Sequence, residues 1–283
     1  MFIEPLTEEL RNRVLAYLLP YEKFAVVLCS QILHGARCIY VLRGNFGEIH
    51  GVFSWWQRSS IHHCLPEVYG KNRGEIEKAF MRFFEDQNPR YIFSISGEKS
   101  GTAMLKKLLE EHFGKSPKVQ GEYFLMENGR FDAFKDLAKM NRQLSVEKCT
   151  EKDAERVFPL QVAFEKEEVV FDSELFDEDR CLAKFENFVE AGAVFVGKIK
   201  NTPLCKLTVS AEGKNCVLLG GVYTLPKYRN CGLAKALLNG VTQQFAARAK
   251  KCTLFVRTQN LAAIKVYEKT GFKKFCNFEI IYY

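Results

Sequence analysis

The sequence predicts an α/β protein of two tandem, related halves, each a mixed sheet flanked by helices. The first observation is the order of elements from about residue 144 onward: helix, helix, three strands, helix, strand, helix, strand. The second is that the first 130 residues repeat this order. Leu65-Pro66 through Arg73-Gly74 even echoes Leu225-Pro226 through Gly232, with two more residues in the loop. The third is size: 283 residues suffice for two domains of ordinary length, and 47% hydrophobic with 27% charged residues is the balance of a globular chain. We place the first unit at 1–130, a connecting segment at 131–143 and the second unit at 144–283.

In chain order, residues 6–19 and 21–34 read as amphipathic helices parted at Pro20. Strands follow at 37–43 and 49–56, with Gly44-Asn45 as the hairpin turn between them, and 61–65 extends that sheet. A helix at 73–86, a strand at 91–96, a helix at 101–113 and a strand at 122–126 complete the first half. Residues 127–130 read as a turn, and the polar stretch 132–142 has helical character.

The second half opens with a helix at 151–164. Thr150 precedes it with Asp153 three residues on, the pattern of a reciprocal cap. A second helix at 176–190 stops at Ala191-Gly192. Strands are expected at 194–200, 206–210 and 217–224, the last closed by Pro226, which has no amide to give a ladder. A helix, a strand at 253–256, a helix at 262–269 and a terminal strand at 278–282 finish the chain.

Composition narrows the function. No run approaches a membrane span, and the acidic start MFIEPLTEEL does not read as a secretory signal. Ten cysteines are scattered singly with no C-x-x-C pair, which points to reduced thiols and a cytoplasmic setting. Cys64 beside His62 and His63 lacks the paired spacing of zinc ligands, so no metal is expected. Positive charge is concentrated late: residues 201–283 hold thirteen Lys or Arg against three Asp or Glu, and residues 1–200 hold 28 against 31. No helix-turn-helix, zinc-finger or RRM pattern accompanies this charge, so nucleic acid is not the expected partner. A polyanionic small ligand explains it more simply.

The segment 216–248 carries the chemistry. An apolar strand leads through a short basic loop, Arg229-Asn230-Cys231-Gly232-Leu233-Ala234, into a helix with Leu233, Ala236, Leu237, Val241 and Phe245 at helical spacing. A loop that becomes a helix N-terminus offers free N–H groups to phosphate oxygens. Gly232 permits a close backbone approach, and Ala234 keeps the first turn uncrowded.

Arg229-x-x-Gly232-x-Ala234 resembles the (Gln/Arg)-x-x-Gly-x-(Gly/Ala) signature of the GNAT superfamily of N-acyltransferases. Asn260, Ala263, Tyr267, Gly271 and Phe272 resemble the second half of that signature, in the family's order and at its usual separation. The resemblance covers about residues 145–283. It implies two tandem acyl-CoA N-acyltransferase folds, with the signature complete only in the second. The first half, with Glu75 where phosphates would bind, is then a degenerate, structural unit.

The resemblance also implies an activity: transfer of an acetyl group from acetyl-CoA to a primary amine by direct attack in a ternary complex. Val222, Tyr223 and Thr224 would present backbone groups to the cofactor's pantetheine arm, one N–H stabilising the oxyanion. Residues 229–234 would hold the pyrophosphate. Asn-Cys at 230–231 departs from the more basic or glycine-containing pair common in the family. Asn260 would bond the cofactor's amide arm, and a helix cap is an equally good use of the same residue. Tyr267 matches the position of the general acid. For the base, Glu168 or Glu165 is preferred over Glu167, with Asp172, Glu174 and Asp177 following. A solvated acidic face accounts for this cluster as well. A non-catalytic module that binds CoA without transfer is the alternative. A small amine, an amino acid, an aminoglycoside-like compound and a protein N-terminus are all compatible acceptors. The terminal strand, 278–283, offers a place for the sheets of a homodimer to join.

Overall fold

A computed structural model describes residues 1–57, 59–89, 91–128, 144–169 and 176–283. The first half runs β1 (Phe2–Pro5), α1 (Glu8–Leu18), α2 (Glu22–Leu33), β2 (Ile39–Arg43), β3 (Ile49–Trp56), β4 (Ser60–Cys64), α3 (Arg73–Gln87), β5 (Ser94–Glu98), α4 (Lys99–Phe113) and β6 (Val119–Asn128). The second runs β7 (Ser145–Lys148), α5 (Glu151–Phe164), α6 (Glu178–Glu190), β8 (Val194–Ile199), β9 (Thr202–Glu212), β10 (Cys216–Thr224), α7 (Leu233–Ala246), β11 (Lys251–Arg257), α8 (Leu261–Lys269) and β12 (Phe272–Tyr282). The two lists match element for element. In both, a 3-10 turn that starts at a proline, Pro66 or Pro226, follows the fourth strand.

All twelve strands form one sheet in the order β1-β2-β3-β4-β5-β12-β6-β11-β10-β9-β8-β7. Replacing each strand by its counterpart in the other half gives the same order read from the opposite end. At the centre the halves exchange strands. β12 pairs with β5 along one edge and with β6 along the other, and β6 in turn pairs with β11. The exchange is also one of side chains. Met126 of β6 lies in the second half's core with Leu219, Leu237 and Leu254, whereas Ile281 and Tyr283 lie in the first half's core with Phe53, Phe84 and Leu105.

This arrangement corrects one expectation. The terminal strand cannot join the sheets of two molecules, because both of its edges are already paired inside one chain. Strand lengths also differ from the sequence reading. β9 and β12 reach well past their apolar centres, since a ladder between two neighbours carries polar residues such as Lys273 and Lys274 along with it. Glu127 and Asn128 end β6 rather than open a turn. β5 begins at Ser94, three residues later than expected, and β1 and β7 were not expected at all. These two edge strands are four residues each and too short to show alternation. The helical stretch expected at 132–142 and most of the connecting segment lie outside the described residues.

Each half has helices on both faces of its part of the sheet. Apolar clusters under α1 and α2 (Val14, Leu18, Leu28, Ile32) and under α5 and α6 (Val157, Phe185, Val189) back the larger cores on the opposite face. The cap expected at Thr150 is present, with Asp153 in its reciprocal role. Asp153 also accepts from buried Lys198 at 2.8 Å.

One polar contact ties the halves together away from the central strands. Glu22, the first residue of α2, is buried, and its carboxylate accepts from the Asn215 N–H at 2.8 Å, the Asn215 Nδ2 at 3.0 Å and the Cys216 N–H at 3.2 Å. Beside it Val26 packs on Cys216 and Leu218. Truncating the acceptor leaves the buried Cys216 N–H without its partner, while exposed Asn215 can turn to water, so Glu22→Ala should lower stability by about 1–3 kcal/mol. Urea unfolding measures this. A loss below about 0.5 kcal/mol would put the contact among ordinary surface bonds.

Candidate active site

The site begins with two parallel strands that part. β10 and β11 pair from Cys216↔Lys251 to Leu219↔Leu254 and no further. From there β10 follows β9 alone, and the register slips between Gly220 and Tyr223. Gly221 has φ +56 in that slip, a left-handed backbone that suits glycine. The divergence is not fraying. On its other edge β11 stays paired to β6 through Phe255↔Leu125, Val256↔Phe124 and Arg257↔Tyr123. The bulge turns one strand away while a strand from the first half holds the other.

Between them lies a cavity of about 240 Å³. The parted strands line it with Gly220, Gly221, Val222 and Val256; Asn260, Ala263 and Tyr267 close one side, and Phe164, Glu168 and Val169 another. Tyr123, Ile280 and Tyr282, from the exchanged central strands, complete the wall.

The basic loop has the geometry that its sequence suggests. Asn230 and Gly232 are both left-handed, at φ +63 and +76, which curls the backbone into the start of α7. The first intrahelical bond runs from the Ala236 N–H to the Gly232 carbonyl at 3.0 Å, and no side chain caps the helix, so the N–H groups of its first turn are open. Leu233 is buried and anchors that turn in the core, while Cys231 is exposed.

Arg229 is engaged with the protein itself. Its Nη2 pairs with Glu167 at 2.7 Å and its Nε donates to the Thr224 carbonyl at 3.1 Å. Glu167 also accepts from the Tyr223 hydroxyl at 3.1 Å, and the guanidinium stands 5.4 Å over the Tyr223 ring. The Arg229 partner holds the Glu167 carboxyl below its ordinary range. Glu165, Glu167 and Glu168 all belong to a π-helical turn, Glu165–Val169, that continues α5. That turn fans the three carboxylates apart. Glu165 is buried, accepts from Gln161 at 2.9 Å and pairs with Lys184 at 3.4 Å, away from the cavity lining. Glu168 faces the cavity and accepts from Asn260 Nδ2 at 3.1 Å. Burial raises its pKa; Arg257 works in the opposite sense and Glu167 adds to the rise.

Asn260 therefore has two tasks: its Oδ1 caps α8 by accepting from the Ala263 N–H at 3.0 Å, and its amide NH₂ holds Glu168. Tyr267 is buried in α8, and burial, followed by the charge of Glu168, drives its pKa far upward, so the hydroxyl keeps its proton. Thr224 Oγ1 is buried without a partner among the described residues. Asp177 caps α6 by accepting from the Arg180 N–H at 2.9 Å, and Asp172 and Glu174 lie outside the described residues. Sequence reasoning missed Tyr123, Tyr282 and Arg257 because they arrive through the strand exchange or beyond the signature.

The corresponding place in the first half is built differently: a cavity of about 490 Å³ opens beyond the strand ends, lined by Leu65, Pro66, Tyr69, Glu98, Lys99 and Ser100. β4 and β5 pair as far as His62↔Ser96, three residues short of Leu65, whereas β10 leaves β11 six residues short of Leu225. The His63 ring packs between β5 and α4, where a Cβ on Gly97 or Gly101 would overlap it, and its Nε2 bonds to Thr102 Oγ1 at 2.9 Å. Burial, then the neighbouring His62, lowers the His63 pKa to about 3 and keeps the ring neutral. Among the described residues no group of three or more His, Cys, Asp or Glu could hold a metal ion, and no helix is long and apolar enough to cross a membrane.

Known proteins share this architecture. Residues 152–272 match the model of the acetyltransferase (GNAT) family. A search of curated proteins by sequence returns no match. Among solved structures, a Drosophila protein superimposes with a TM-score of 0.70 at 13% identity, over 100% of this chain and 98% of its own. A tandem GNAT protein from the clavulanic acid biosynthesis pathway gives 0.61 at 13% identity, over 99% and 97%. A GNAT family acetyltransferase from Colwellia psychrerythraea gives 0.56 at 14% identity, over 100% of both chains. At these identities the likeness is one of fold. The parted strands and the open helix turn thus lie in the stretch, residues 152–272, that matches the model of the GNAT acetyltransferase family.

Proposed function

We propose that this protein is an N-acetyltransferase whose C-terminal half moves an acetyl group from acetyl-CoA to a primary amine in a ternary complex. The observation that carries this reading is the gap between β10 and β11 beyond Leu219 and Leu254, with Glu168, Asn260 and Tyr267 gathered around one cavity. The residues present fit the cofactor. The unpaired edge of β10 from Gly220 to Thr224 and the orphaned Thr224 Oγ1 suit an amide-bearing arm, and the open first turn of α7 suits a pyrophosphate. Acetyl-CoA supplies the acetyl group as an activated thioester.

The protein's own groups then divide the work. A backbone N–H of Val222 to Thr224 donates to the oxygen that gains charge, an effect worth about 3 kcal/mol for a well-placed donor. Glu168, held by Asn260, takes the proton from the incoming ammonium, and its raised pKa brings it nearer to neutral pH. Tyr267, which keeps its proton, gives it to the departing sulfur. Glu167 fixes Arg229 and Tyr223, and Glu165 holds the α5–α6 corner. The first half serves as structure and supplies strand β6.

Titration calorimetry with acetyl-CoA tests the reading. One saturable site per chain is expected, lost in Gly232→Glu, where a carboxylate faces the phosphate turn; circular dichroism checks that the variant folds. Two sites would overturn the structural role of the first half, and no binding would sink the transferase reading. Tyr267→Phe should lower kcat on the order of a hundredfold while calorimetric affinity for acetyl-CoA is retained. The Glu168 carboxylate acts as base only when ionised, so kcat/KM should rise with pH through a pKa above the ordinary carboxylate range. Glu168→Gln should remove that acidic limb, and a limb that survives would assign the base elsewhere.

A further inference from the structure

The cavity between the parted strands reaches both faces of the sheet. Leu254 and Val256 of β11 belong to the core beneath α7 and α8. Phe255 and Arg257 alternate with them and so lie on the opposite face, where Phe255 packs beside Val26 of α2. Tyr123 pairs with Arg257 on one side and with Phe278 on the other, and Ile280 and Tyr282 follow Phe278 at two-residue steps. Register therefore puts these side chains on the face of Phe255. The phosphate turn at the start of α7 belongs to the first face, which leaves the second for the acceptor.

That second face is an aromatic floor. Tyr123, Phe255, Ile280 and Tyr282 line the cavity there, with Phe164 from the end of α5. All five are half-buried, so part of each side chain is still open to a ligand. The rings are also held in place. The Tyr123 ring lies along the sheet over Gly121, where a Cβ would come within 2.8 Å of it. Phe93 meets the Tyr282 ring edge-on at 5.6 Å between centres, and Phe255 stacks on Phe278 at 4.4 Å. Such a floor gains from an aromatic ligand beyond the area that it buries.

Charge limits the acceptor further. Among the described residues the lining holds one carboxylate, Glu168, and one cation, Arg257. Glu167 is already engaged by Arg229 and Tyr223, and Glu165 by Gln161 and Lys184. Glu168 can thus match one ammonium. A second would meet Arg257 with no carboxylate to balance it, which disfavours a polyamine or an aminoglycoside. Hydroxyl groups of a sugar would also lie against ring faces that leave them without strong partners.

We infer that the acceptor is a primary monoamine carrying an aromatic group on a short chain, its ring on Tyr123, Phe255 and Tyr282 and its nitrogen at Glu168. The inference rests on the transferase reading of the same cavity. The ammonium first gives a proton to Glu168. The free amine attacks the thioester carbonyl carbon, the C–N bond forms and the C–S bond breaks. The nitrogen loses a second proton and the sulfur gains one. The products are the N-acetylated aromatic amine, free CoA thiol and one proton released to solvent.

The test follows CoA release by the full chain with acetyl-CoA and, in turn, 2-phenylethylamine, 2-methoxyethylamine, spermidine and kanamycin. Binding of acetyl-CoA is measured by calorimetry on the same preparation. The kcat/KM for 2-phenylethylamine should exceed that for each of the others about tenfold or more. Tyr123→Ala should raise KM for 2-phenylethylamine about tenfold while kcat changes little, whereas Tyr123→Phe should behave as the natural chain. Circular dichroism checks that both variants fold, and the panel on the natural chain decides the matter alone. Preference for spermidine or kanamycin, or equal use of 2-methoxyethylamine, would overturn the inference and leave the transferase reading intact. Binding of acetyl-CoA with no turnover of 2-phenylethylamine would do the same. Failure to bind acetyl-CoA would remove both.

Discussion

The central ladder between β6 and β12 is the constraint on which the rest of the structure depends. Its register runs from Phe272↔Asn128 to Tyr282↔Val119, and each strand then pairs outward with the other half of the chain. Two sheets that could each have closed on themselves are thereby made into one. The site inherits this arrangement. A strand can leave its parallel neighbour without unravelling only if its other edge is secured, and β6 secures β11 along the whole stretch where β10 departs. The same strands bring Tyr123 and Tyr282 to the cavity. The first half therefore contributes to the second half's site.

The two halves show one template used in two ways: parallel strands, a proline-initiated 3-10 turn and a following helix. In the first half the strands stay paired about three residues longer relative to the turn, and a neutral histidine packs between β5 and α4. In the second half a single left-handed glycine supports the slip that parts them. Electrostatics differ too. The first half buries an imidazole that sheds its charge, whereas the second half surrounds its gap with Glu167, Glu168, Arg229 and Arg257, which stay partly in contact with solvent.

Much of this was legible in the sequence because it is local. Helices α3 and α5 start where their caps and apolar spacing place them, and the basic loop announces itself through Arg229, Gly232 and Ala234. The repeat of element order gave the tandem plan. What was not legible is what depends on partners distant in the chain. No local pattern says that residues 272–277 continue a strand, because they are paired by β6, nearly 150 residues earlier. The same is true of Tyr123, whose meaning comes from a register and not from its neighbours. The three glutamates of the π-helical turn were visible as a cluster. Their separation into an arginine partner, a cavity carboxylate and a buried brace needed the extra residue per turn that a π-helix introduces.

The strand exchange has a consequence for the chain as it is made. β5 waits for β12 as its neighbour, and some 175 residues separate them, so the first half cannot complete its sheet during the early part of synthesis. Until then β5 and β6 present open edges, and the places that Ile281 and Tyr283 will fill in the apolar core stay empty. Contacts at such separation are slow to form and leave sticky surface exposed in the interval. A nascent chain of this protein thus keeps those edges and that part of its core open through most of its translation, and the first half completes its sheet only with the last strand.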